Sequence, residues 1–142
     1  MANYFGGANF TVPFIATEDL TSRQYYPVCP ASTAAGVHGV ASALTGCAPM
    51  PFGILVNDPS AGQEAAVVVF GFTKARGRSA GGCWLEWGTM LRCASDAFEP
   101  IASVGSEVMC GRWFGGSVTT ADASAIGNVF VMFLNTCATL DA

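Results

Sequence analysis

The chain has 142 residues, which suits a single domain; at this size folding buries roughly 68% of the surface that the unfolded chain exposes. Apolar residues make up 51% and charged residues only 11%, against about 25% charged in an average domain, and this balance excludes intrinsic disorder. Six basic and ten acidic residues give a net charge of −4, which argues against a nucleic-acid partner, because phosphate binding needs a basic footprint. Seventeen glycines and seven prolines exclude a coiled coil or helical bundle, whose composition is rich in Ala, Glu, Lys, Leu and Arg. One core of this size is not expected to absorb so much apolar surface, and part of it is expected to be buried against neighbouring molecules.

The first residues, MANYFGGANFTVPF, lack the basic start and continuous apolar stretch of a secretory signal. No apolar run approaches the roughly 18 residues of a membrane helix, so synthesis in a cytosol and no membrane partner are expected. Residues 1–16 mix glycine, asparagine and the rings of Tyr4, Phe5, Phe10 and Phe14 without a clear period. They are expected to form a non-regular arm before a domain spanning 17–142, and such an arm suits packing on a partner.

Residues 24–28 read as an extended piece, with Pro27 suited to a sheet edge. The small-residue stretch 30–49 reads as a weak strand pair or a loop. Residues 52–56 (FGILV) form a compact apolar strand that runs into NDPSAG at 57–62. There Asn and Asp side chains cap a turn, Pro fixes φ and Gly permits positive φ. The clearest strand is 65–72 (AAVVVFGF), β-branched and aromatic and apolar on both faces. Residues 73–82 read as a Gly-rich basic connection. Short strands follow at 83–88, 90–93, 98–102 and 107–114, then a small-residue loop at 115–127 and a closing strand at 129–134, again apolar on both faces. Short strands with turn signals between them predict an all-β fold, a small β-sandwich or β-barrel with the non-regular N-terminal arm.

None of the six cysteines, Cys29, Cys47, Cys83, Cys93, Cys110 and Cys137, has the C-x-x-C spacing of zinc or thioredoxin-like sites, so no metal or cofactor is expected. Cytosolic synthesis favours buried thiols acting as small hydrophobes; pairing after release into an oxidising medium is the alternative. His38 is the one histidine, and a cysteine hydrolase would use it with Cys29 or Cys47, but no third orienting group is evident. Glu86, Glu99 and Glu107 lie on or beside predicted strands, and nothing in their spacing sets up paired carboxylate chemistry. The expectation is a non-enzymatic protein. Lys74, Arg76 and Arg78 alternate, so an extended chain points all three one way, toward solvent at a hairpin tip or toward an acidic partner. Trp84, Trp87 and Trp113 suit either core packing or a sugar-stacking platform, which makes a carbohydrate-binding β module the alternative function.

The segment PFGILVNDPSAGQEAAVVVFGF at 51–72 resembles the central motif of the small capsid decoration, or cement, proteins found in phage head gene clusters, P-x-G-V-L-x-N-D-P-x-x-G-x-x-A-x-V-x-x-x-G. EDLTSRQY at 18–25 is similar to the entry segment of those proteins and GNVFV at 127–131 to their final strand, so the resemblance spans about residues 17–135. Six cysteines, extra tryptophans and the apolar N-terminal segment depart from the plainer members. The resemblance implies a non-catalytic β-rich virion protein, made in the host cytoplasm, that sits on the outer surface of an icosahedral head. It further implies bridging of neighbouring major capsid proteins, which stabilises the expanded, DNA-filled shell. Self-association, as a trimer near local threefold axes, is expected to place several copies of the contact surface, Tyr4, Phe5, Phe10, Phe14, Lys74, Arg76 and Arg78, on adjacent partners.

Overall fold

The computed structural model describes residues 9–32, 38–42, 51–80, 82–94, 96–100 and 109–132. Every regular element among them is a strand: β1 (Asn9–Ala16), β2 (Pro27–Ser32), β3 (His38–Ser42), β4 (Gly53–Leu55), β5 (Glu64–Arg78), β6 (Met90–Cys93), β7 (Phe98–Pro100), β8 (Met109–Trp113) and β9 (Ser124–Met132). The fold is all-β, as the composition and turn spacing predict.

Strand pairing closes on itself twice, and both closures use β5. In one ring β1, β3, β2 and β4 return to the first half of β5, through β4–β5 on one edge and β1–β5 on the other. In the other, β7, β6, β8 and β9 return to the second half, where Phe70 to Arg78 pair residue by residue with Met132 to Ser124. Closure removes the open sheet edges that would otherwise invite pairing with another chain.

Each ring has its own core. The first contains Ala16, Leu20, Val28, Val40, Leu55, Ala65 and Val67; the second contains Trp113, Phe98, Leu91, Leu85, Ala75, Val129 and Val131, with Ile54 and Val68. The adjacent pairs Ile54/Leu55 and Val67/Val68 thus serve different cores, which explains why these strands are apolar on both faces. The switch occurs at an irregularity: Phe10 pairs with Phe70 and Thr11 with Val68, which leaves Val69 without a partner in β1. A bulge of this kind bends the strand and increases its twist, and Gly71, at φ 107°, lies just beyond it.

The turn at 57–62 has the predicted chemistry. Asn57 accepts the Ala66 N–H at 3.0 Å and donates to Glu64 O at 2.9 Å, while Gly62 takes φ 83°.

Four expectations are corrected. Residues 9–16 are not part of a non-regular arm: they form β1, paired with β5 from Asn9↔Gly71 to Ile15↔Glu64, because T-V-P-F-I offers alternating side chains to a long strand beside it. Residues 73–78 are the second half of β5, not a connection. Residues 83–88 form no strand and are held by the single bridges Ala80↔Cys83 and Leu85↔Val118. Residues 124–127 belong to β9 and not to a loop. The glycines that read as loop in these stretches are there for packing: a Cβ on Gly77 or Gly127 would lie 2.5 Å from the Trp113 ring. Tyr4 and Phe5 lie outside the described residues.

Candidate functional site

Beyond the bulge, the odd-numbered residues of β5 point into the second ring and the even-numbered ones point out. Paired strands share their faces, so the outward side of the β5–β9 ribbon carries Phe70 opposite Met132, Phe72 opposite Phe130, Lys74 opposite Asn128, Arg76 opposite Ile126 and Arg78 opposite Ser124. One half of this face is aromatic and the other cationic.

In the aromatic half, ring centroids run in a continuous series. Phe70 lies 5.4 Å from Phe130, Phe130 4.9 Å from Phe72, Phe72 6.0 Å from Phe114, and Phe114 5.0 Å from Trp87, mostly edge to face. These separations are those of favourable aromatic pairs, worth about 0.5–1.5 kcal/mol each beyond their area burial. The rings pack on one another, yet neither core covers them: Phe70 is 44% exposed, Trp87 71%, and Phe10, across the ladder from Phe70, 71%. Arg112, exposed and opposite Phe130 in β9, donates to Gly88 O at 3.1 Å. Lys74 is exposed one alternation beyond Phe72, and among the described residues it has no ion pair.

The arginines of the cationic half are paired within the molecule. Asp96 receives Arg76 and Arg78, each at 3.0 Å; Glu99, only 6% exposed, receives Arg78 and Arg92, the latter at 2.9 Å. Its hydrogen bond to Glu99 holds the Arg78 guanidinium above its ordinary pKa. Arg76 also stacks over Tyr26 at 5.0 Å, a cation–π contact shared with Arg23 at 5.2 Å. Lys74, Arg76 and Arg78 do share a face, as alternation requires, but Arg76 and Arg78 are engaged with Asp96 and Glu99, and among the described residues Lys74 alone of the three has no ion pair.

The other sequence candidates disperse. Phe14 packs edge to face on Phe52, 5.1 Å away, against the first core. Trp113 is fully buried, with its indole N–H donating to Gly116 O at 2.9 Å, so it belongs to no ligand platform; Trp84 and Trp87 are exposed. His38 pairs with Ser32 while Cys29 pairs with Ala41, three positions along the same ladder, a separation of about 10 Å at strand rise. Cys29 is disulfide-bonded, so it is neither the expected buried thiol nor a nucleophile for His38. His38 instead lines a surface depression of about 340 Å³ with Phe14, Pro30, Ser32 and Phe52. Cys83, Cys93 and Cys110 carry thiols. Glu99 is engaged in the ion-pair network, Glu86 is exposed, and Glu107, Cys47 and Cys137 lie outside the described residues. Among the described residues, no three His, Cys, Asp or Glu side chains converge as a metal site would require.

The aromatic series was only partly legible in the sequence. Phe70, Phe72 and Phe130 stand in the two doubly apolar strands, whereas Phe114 and Trp87 join them through loops that no periodicity marks.

No family model matches the chain, and no curated protein matches it by sequence. Its fold is similar to that of the N base of head fiber gp8.5 of bacteriophage phi29, with a TM-score of 0.51 and 10% identity over 86% of this chain and 92% of that one.

Proposed function

We propose that this protein is a non-enzymatic structural component of a tailed-phage head, held on the outside of the shell, where it bridges neighbouring major capsid proteins. The observation that carries this reading is the aromatic series from Phe70 to Trp87, on and beside the β5–β9 ribbon, whose two ends are exposed and whose middle rings are half-buried. Exposed aromatic rings beside an arginine, Arg112, have the composition of interface hot spots. The similarity of fold to a phage head fiber base and the capsid-decoration motif at 51–72 support the same placement.

The physical role follows from copy number and linkage. A stable contact buries at least about 1,000 Å², and many copies acting on one shell turn modest individual affinity into large collective resistance. A protein that binds only the expanded lattice stabilises that state by mass action. Self-association, as a trimer near local threefold axes, sets several aromatic faces on adjacent capsid subunits. Lys74 and Arg112 steer the face toward an acidic rim on the shell.

Electron cryomicroscopy of heads from phage with and without the gene tests the placement. The expected result is density outside the shell, at junctions between capsid subunits, that disappears with the gene. Identical shells in the two preparations contradict the reading.

A further inference from the structure

β6 and β8 pair antiparallel, Leu91 with Gly111 and Arg92 with Met109, so Cys110 is the extra residue of a bulge. Simple alternation, with Gly111 and Trp113 inside and Arg112 outside, would turn Cys110 outward. The bulge turns it inward instead: it is 5% exposed and lies in the core cluster of the second ring, against which Cys93 also packs. The two thiols lie close enough for each to shift the other's pKa, and the Cys93 thiol donates to Ala94 O at 3.5 Å. Cys110 sits at the bulge beside the Arg92↔Met109 pair and Cys93 is the residue after Arg92 on the neighbouring strand, so the two cysteines are diagonal neighbours that turn into the same core.

We propose that Cys93 and Cys110 are an oxidation site, a cross-strand dithiol that closes to a disulfide when the folded protein meets a small-molecule disulfide. Two S–H bonds break and one S–S bond forms. The two electrons reduce one molecule of a disulfide such as oxidised glutathione to two thiols, which take up the two protons. The electrostatics of the pair favour this chemistry: the neighbouring Cys93 thiol and its backbone N–H hold the Cys110 thiol below its ordinary range, while the same contact and burial push Cys93 well above it. One sulfur thus ionises ahead of the other, and the thiolate is the attacking species in exchange. The disulfide at Cys29 shows that the chain already accommodates a bridge. Closure at Cys93 and Cys110 ties β6 to β8 across the bulge, beside Trp113, after the protein leaves a reducing cytosol.

The test is peptide mapping of the full-length folded protein before and after incubation with oxidised glutathione, with Cys83 as the internal comparison. The expected result is a peptide joining Cys93 to Cys110, lighter than the sum of its thiol forms by two hydrogens, and the loss of both as alkylation sites while Cys83 stays alkylatable. A parallel incubation with diamide, a small oxidant that needs little space, is expected to give the same peptide. Cys93 and Cys110 both remaining alkylatable with both reagents, each carrying glutathione singly, or either one joined to Cys83 would overturn the proposal.

Discussion

Val67 and Val68 are neighbours in the chain and members of different cores: Val67 packs with Leu55 and Val28, Val68 with Trp113 and Phe98. One strand therefore serves two rings. This arrangement answers much of the hydrophobic excess in the composition, because a chain that folds around two small cores hides more apolar area than one built around a single sheet face. Among the apolar surface that neither core covers is the outward aromatic series, the face proposed to meet the capsid.

The Trp113 cradle should be sensitive to a single methyl group. A Cβ at residue 127 meets the indole ring at 2.5 Å, and overpacking of this kind costs about 1–3 kcal/mol. Gly127→Ala is expected to lower the urea unfolding midpoint by a corresponding amount. Trp113→Ala, which empties the centre of the ring, is expected to lose about 3–5 kcal/mol. Denaturation followed by circular dichroism measures both.

β1 should prove integral to the fold. Phe14 packs on Phe52 against the first core, and residues 9–15 pair with β5. Phe14→Ala is expected to cost about 2 kcal/mol, below the value for a fully buried ring. Deletion of residues 1–16 removes one wall of the first ring and is expected to abolish cooperative unfolding. A folded, cooperative deletion variant would show that the first ring does not need β1.

Glu99 is the buried acceptor for two arginines. Glu99→Gln keeps its size and removes its charge, and is expected to cost about 2 kcal/mol, the range for hydrogen bonds to charged groups. The pH dependence has a definite sign. The pKa of Arg78 is raised on folding, so its contribution is fully present below its unfolded value and is lost only as pH rises through the folded one. Both lie beyond the ordinary working range, so stability from Arg78 is expected to be flat across neutral pH, as unfolding midpoints at several neutral pH values will measure.

Much of this fold was legible in the sequence where local chemistry and packing agree. The turn at 57–62 was legible because Asn57 fits it with its own side-chain chemistry and Gly62 with its freedom at positive φ, and the apolar strands at 65–72 and, within the described residues, 129–132 because β-branched and aromatic residues crowd into them. The second half of β5 was not legible, because Gly77 and the alternating Lys74, Arg76 and Arg78 have loop composition. Gly77 is required by the distant Trp113, and Arg76 and Arg78 by the distant Asp96 and Glu99, and neither requirement leaves a local trace. The same holds for the contact face: its charged members were visible as an alternating triplet, but which of them are paired internally depends on where residues 96 and 99 arrive.

The central claim is that the aromatic face binds the phage shell, and the most direct measurement is co-sedimentation of the purified protein with heads of its phage that lack it. The variant to compare is the double substitution Phe70→Ser with Trp87→Ser, both exposed and outside the cores. Each substitution gives up one edge-to-face pair, about 0.5–1.5 kcal/mol of stability per site, whereas loss of the two interface anchors, at about 1.4 kcal/mol or more together, weakens binding at least about tenfold. The account predicts that the wild-type protein saturates the heads and that the folded double variant loses at least about tenfold in affinity. A folded double variant that decorates heads as fully as the wild type, or a wild type that stays in the supernatant, would contradict it.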